Sequence, residues 1–149
     1  MTVALEVLRA FPKVSLHDHL DGALRPQTVL ELAAEIGHEL PADNAEDLAT
    51  WFREAAGSGS LELFLQTFGH TVAVLQTPAN LRRVAREFVE DLGSDGVIYG
   101  EARWAPQQHT QQGLEPRAAV EAVRDGLAEG MEVCAGRGRS VSVLSLIHI

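Results

Sequence analysis

The chain has 149 residues, with 12 Lys and Arg against 21 Asp and Glu, so its formal net charge is −9. That balance argues against nucleic acid or an anionic membrane as partner, because both draw on clustered Lys and Arg. The length suits one domain, and it falls short of the roughly 200 residues that a complete (β/α)8 barrel needs.

Hydrophobic residues make up 46% and charged residues 22%, the proportions of a soluble globular protein. A single cysteine, Cys134, excludes an internal disulfide framework and a Cys-based zinc site, and it reads as a small packed residue. Met1 to Val14 lacks the basic start, long apolar stretch and small-residue cleavage site of a signal peptide. No apolar run reaches the ~20 residues of a membrane span. The expectation is a cytoplasmic protein.

Taken in chain order, Lys13 to Leu20 alternates and predicts a short strand ending at the turn signal Asp21-Gly22. Pro26 opens a helix with an apolar face of Val29, Leu30, Ala33 and Ile36, and Gly37 closes it. Residues 38 to 59 show no clear period. Ser60 caps a helix carrying Leu61, Phe64, Leu65, Phe68, Val72 and Leu75. Thr77-Pro78 starts another, with Leu81, Val84, Ala85, Phe88 and Leu92 on one face and Gly93 as its stop. Arg82, Arg83 and Arg86 lie opposite that face and read as solvated.

Gly96 to Trp104 predicts a second strand, ended by Pro106. A polar loop follows, and Pro116 starts a helix with Val120, Val123, Leu127 and Met131. Ser140 to Leu144 is a third strand-like run. Strands separated by helices indicate an α/β fold built of parallel βαβ units. There is no internal repeat of fixed period.

His17 and His19 stand two residues apart on the first strand, so both imidazoles project to one side and can converge on one ion. Zinc would need further ligands besides. On spacing alone, two polar residues at a strand end explain the pair equally well. Position favours the chemical reading, because parallel α/β folds place active-site residues at the C-terminal ends of strands. Asp21 follows on the same side if the chain stays extended, and Gly22 lets the backbone turn.

The stretch His17-Asp18-His19-Leu20-Asp21-Gly22-Ala23-Leu24-Arg25-Pro26 resembles the N-terminal signature of the adenosine deaminases, metal-dependent hydrolases on a (β/α)8 barrel. Further likenesses follow in order. Ser60 to Leu65 with Phe68 resembles the family's helix over the purine pocket. Arg86 to Leu92, Asp95 to Tyr99, and Glu101-Ala102-Arg103-Trp104-Ala105-Pro106 resemble its second helix-to-strand passage and strand end.

The resemblance implies an α/β fold that is the N-terminal part of a (β/α)8 TIM barrel of the metal-dependent hydrolase type. It implies zinc as cofactor, one ion per complete protein, with His17 and His19 as ligands. It places His19 against substrate and Asp21 on the sugar hydroxyl end of a purine nucleoside. Asp at position 21 favours nucleosides, since the related adenine deaminases carry Glu there. Leu61, Phe64, Leu65 and Phe68 would form an apolar lid over the purine, or plain helix core. Glu101 and Arg103 read as a buried pair rather than catalytic groups.

The reaction so implied is hydrolytic deamination of adenosine and deoxyadenosine to the inosine nucleoside and ammonia. The family's third zinc His, its Glu, its later His and its Asp-Asp pair are absent from the 149 residues. No catalytic residue is therefore assigned here, and His38, His70 and His109 are not promoted to the missing ligand. Residues 1–143 read as the barrel portion. Residues 144–149, which include His148, do not continue the family pattern and read as a non-native tail. Two alternatives stay open: a metal-dependent phosphoesterase, whose first strand also carries His-x-His before Asp-Gly, and a non-catalytic βα fragment.

Overall fold

The computed structural model describes residues 4–147. A short helix, α1 (Leu5–Ala10), precedes β1 (Lys13–His19). Four helices follow: α2 (Pro26–Ile36), α3 (Ala45–Gly57), α4 (Leu61–Ala73) and α5 (Pro78–Ser94). Then come β2 (Val97–Trp104), α6 (Pro116–Gly136) and β3 (Ser142–Ile147). Two 3₁₀ turns, Leu20–Gly22 and Pro106–His109, sit directly after β1 and β2. The strands form one sheet in the order β1-β2-β3, and both pairings are parallel. Among the described residues no helix is long and apolar enough to cross a membrane.

Local chemistry accounts for most of these boundaries. The side chains of Ser60 and Thr77 accept hydrogen bonds from the Leu63 and Asn80 backbone N–H groups, satisfying donors that a helix start leaves free. Gly37 ends α2 in the left-handed region at φ 66°, where a Cβ would be strained. α3 lies in the stretch that showed no clear period. Asn44 caps it by accepting from the Asp47 N–H, and only Leu48 of its residues is buried. Leu48, Trp51, Phe52 and Ala55 do fall at helical spacing on one face of α3, a pattern that the reading of residues 38 to 59 overlooks.

The core lies between the sheet and the helices. Leu20, Leu32, Leu75, Leu81, Val123 and Trp104 are almost wholly buried there. Each fully buried aliphatic side chain stabilises the fold by roughly 1.5–3 kcal/mol. α5 and α6 approach closely at two glycines. A Cβ on Gly126 would lie 2.2 Å from the Arg82 carbonyl oxygen, and one on Gly130 would lie 2.6 Å from Val89 Cβ. Cys134 is buried beside Val89, and burial pushes its thiol pKa up, as suits a packing residue.

Several elements differ from expectation. β3 begins two residues later than Ser140 and continues through Ile147, because Glu101 to Trp104 pair with Leu144 to Ile147. α5 runs past Gly93 to Ser94. The Arg82, Arg83 and Arg86 face is partly exposed, as the solvated reading expects, and it is also ion-paired: Arg82 binds Glu129 of α6, and Arg83 binds Glu31 of α2 at 2.6 Å and Glu87 at 2.9 Å. His148 lies outside the described residues.

Candidate active site

The end of β1 is irregular where the sequence implies plain alternation. Ser15 pairs with Gly100 and Asp18 with Ala102, so three steps along β1 match two along β2. This is a β-bulge, and His17 occupies it at φ 67°, in the left-handed region that residues with a Cβ rarely enter. The bulge re-aims the strand end. The His17 and His19 rings come to a centroid distance of 5.3 Å with 38° between their planes. Convergence thus arises from a strained bulge rather than from strand periodicity.

Asp21 also reaches the site by another route than extension. Leu20–Gly22 is a 3₁₀ turn, which brings Asp21 Oδ1 within 3.5 Å of His19 Nδ1. Asp21 is only 4% exposed. Asp18 Oδ2 accepts a hydrogen bond from Ser15 Oγ at 3.0 Å, across the same bulge. Space at Gly22 is tight: a Cβ there would lie 3.2 Å from the edge of the Phe68 ring.

A cleft of about 1020 Å³ opens at this end of the sheet. Asp18, His19 and Asp21 form its polar floor. Phe64, Leu65 and Phe68 from α4 form an apolar wall, and Phe52 and Arg53 from α3 extend it. Phe68 stands edge-on to His19 at 6.3 Å and to Phe64 at 5.5 Å. Of the four expected lid residues, Phe64, Leu65 and Phe68 line the cleft. Leu61 does not; it is 71% exposed.

Sequence reasoning missed two contributors to the cleft, Asp18 and α3, and one buried histidine outside its lining. Asp18 lines the floor because the bulge shifts the strand's facing, which alternation does not predict. α3 supplies a wall through Phe52, a residue in the stretch without period. The sequence puts His109 in a polar loop, yet it ends the 3₁₀ turn after β2 and is fully buried, with its ring 5.7 Å from that of Trp104. The apolar start of that turn at Pro106 is the signal that the loop folds inward. Glu101 and Arg103 pair at 3.3 Å on β2 as expected, but they are half-buried rather than buried.

The donor set suits zinc in kind, since imidazole nitrogen is an ordinary ligand for it. Among the described residues no third His, Cys, Asp or Glu completes a ligand group with the pair.

The model of the adenosine deaminase family matches residues 12–148, nearly the whole chain. The chain belongs to the adenosine deaminase family. An adenosine deaminase of Mycobacterium avium (strain 104) is 52% identical over 144 residues, which cover 96% of this chain and 39% of that protein. Among solved structures, Arabidopsis ADAL complexed with GMP matches with a TM-score of 0.75 and 28% identity, covering 97% of this chain and 42% of its own. A Burkholderia ambifaria cog1816 amidohydrolase with bound Zn has a TM-score of 0.80 at 23% identity, covering 99% of this chain and 39% of that one. The sheet and helices of this adenosine deaminase family member are accordingly the N-terminal part of a (β/α)8 barrel of the metal-dependent hydrolase type. The chain spans about two-fifths of the length of these relatives.

Proposed function

We propose that this chain is the N-terminal part of a zinc-dependent hydrolase that converts adenosine and deoxyadenosine, with water, to the inosine nucleosides and ammonia. The observation that carries this reading is the cleft, in which a floor of His19 and Asp21 meets a wall of Phe64, Leu65 and Phe68. A purine nucleoside has that same division, with an apolar base at one end and a hydroxylated sugar at the other.

In this reading His17 and His19 hold the metal. Bound zinc supplies a water whose pKa falls from about 15.7 toward 7. Phe64, Leu65 and Phe68 cover the base and exclude bulk water, which strengthens the polar contacts inside. Asp21 accepts a hydrogen bond from the sugar hydroxyl. Two ligands do not close a catalytic zinc site, so the 149 residues alone do not turn adenosine over. Within the same proposal, residues 1–143 are the family portion and 144–149 a non-native tail, although the family match runs to residue 148 and residues 144–147 pair with β2. Sequencing the genomic locus past codon 143 checks that point.

The test is zinc analysis together with the ultraviolet change on conversion of adenosine, in the protein extended to the length of its relatives. His17→Ala is expected to lose zinc and activity together. Stoichiometric zinc in that variant sinks the ligand assignment, and an unmodified protein inert toward adenosine sinks the substrate assignment.

A further inference from the structure

We propose that Gln108 is a specificity-determining residue whose side-chain amide hydrogen-bonds the 2′-hydroxyl of the nucleoside sugar, so that ribose is taken in preference to deoxyribose. This deepens the reading above, in which Asp21 meets the sugar, and rests on it.

The sheet brings Gln108 and Asp21 into one cleft from adjacent strands. His19 of β1 pairs with Arg103 of β2, and each strand then runs into its own 3₁₀ turn. Asp21 lies two residues past His19 on the first turn, and Ala105 two residues past Arg103, at the entry to the second. Gln108 follows on that second turn, Pro106–His109. Asp21, Ala105 and Gln108 all line the cleft. β2 touches the Leu20–Gly22 turn, and the Pro106–His109 turn touches α4. Gln108 thus stands where the strand beside Asp21 meets the helix that supplies Phe64, Leu65 and Phe68. In the proposed pose that is the junction of sugar and base. The 2′-hydroxyl sits on the sugar carbon next to the one that bears the base, so it is the hydroxyl at that junction.

The backbone of Gln108 is held while its side chain is not. Its N–H donates to the Ala105 carbonyl at 3.0 Å, and its carbonyl accepts from Gln76 Nε2 at 3.0 Å. Gln76 is itself buried, and its Oε1 accepts from the Gln111 N–H at 2.9 Å, which pins the segment on both sides of His109. The Gln108 side chain is exposed in the cleft and makes no hydrogen bond among the described residues. Other polar side chains of the lining are already engaged. Asp18 accepts from Ser15 at 3.0 Å, the Thr67 hydroxyl donates to the Phe64 carbonyl at 2.6 Å, and Arg53 donates to Thr50 of its own helix at 3.0 Å.

The chemistry suits a sugar hydroxyl. Each hydroxyl both donates and accepts, whereas the Asp21 carboxylate only accepts. An amide offers an oxygen and an NH2 group, so Gln108 can pair with the 2′-hydroxyl in either sense. A fixed backbone limits what the side chain must give up on binding, and a site built to bond a hydroxyl disfavours the analogue that lacks it.

The experiment compares kcat/KM for adenosine and deoxyadenosine in the protein extended to the length of its relatives, with Gln108 intact and as Gln108→Leu. The substitution is expected to lower the adenosine value about fivefold, the worth of one such hydrogen bond, and the deoxyadenosine value less than twofold. The thermal midpoint should not move, because the side chain is exposed. A structural effect of the turn would reduce both nucleosides alike and leave their ratio in place. A ratio that falls less than twofold in an active protein overturns this proposal alone. An unmodified protein inert toward both nucleosides overturns the functional reading, and this proposal falls with it.

Discussion

The backbone of Gly126 in α6 rests against the Arg82 carbonyl of α5, so close that a single added methyl would come within 2.2 Å of that oxygen. Backbone cannot swing aside as a side-chain tip can. Gly126→Ala is therefore expected to destabilise the chain by roughly 2 kcal/mol or more, despite the gain in helix propensity of about 1 kcal/mol. Urea denaturation followed by circular dichroism measures it. Gly136→Ala is the control, because nothing lies within 4 Å of a Cβ there. Equal stability of the two variants would show that the helices separate at little cost.

That contact also marks the limit of what the sequence could tell. Pro26, Ser60, Thr77 and Pro116 announce helix starts in the residues themselves, and α2, α4, α5 and α6 begin there or at the next residue. Alternating and apolar runs likewise found the three strands. Gly126 and Gly130 carry no such mark, since their role exists only once α5 and α6 are packed. At the site, His17, His19 and Asp21 were legible as a cluster, but the bulge and the 3₁₀ turn that gather them were not. Both are departures from regular periodicity, and periodicity is what pattern reading detects. The burial of His109 and the place of Phe52 in the cleft wall depend on tertiary neighbours, which no local pattern shows.

Acid should weaken the wall of the cleft. His70 of α4 faces His38, its Nδ1 3.0 Å from His38 Nε2, and its ring meets Trp51 of α3 edge-on at 5.3 Å. Burial, then the neighbouring His38, push the His70 pKa below its ordinary 6.5. The unfolded chain thus binds a proton at a higher pH than the folded one. The associated stability is intact above 6.5 and is lost as pH falls below it. Buried His109, shifted the same way by burial, adds to this loss. Thermal unfolding across pH 7 to 5 should show a falling midpoint, and His70→Phe should flatten the slope. A slope unchanged by that variant would remove His70 from the account.

Self-association of the chain should follow from its sheet. β1 and β3 are the outer strands, so each has one edge unpaired among the described residues. Val14 and Leu16 on β1 and Leu144 on β3 are all about half exposed or more. Apolar strands with open edges invite pairing with other copies. The purified 149-residue chain is expected to elute as oligomers or aggregate, with the proportion rising with concentration. Leu16→Lys should shift it toward monomer, because edge charge opposes pairing. A monomer at all concentrations would mean that these strands are protected.

Backbone strain and the proposed metal ligation can be tested separately at His17. Its φ of 67° puts a Cβ-bearing residue where the left-handed conformation costs roughly 1–2 kcal/mol. Strain of that kind persists where the surrounding structure enforces it and often accompanies function. Glycine adopts the conformation freely, whereas alanine keeps the penalty. His17→Gly should therefore be more stable than His17→Ala by about 1 kcal/mol, while neither variant retains a ring to bind zinc. Paired denaturation curves and zinc analysis read the two effects apart. Should Gly and Ala prove equally stable, the left-handed bulge at His17 is not enforced by the fold. Zinc retained in either variant would instead remove His17 from the ligand set.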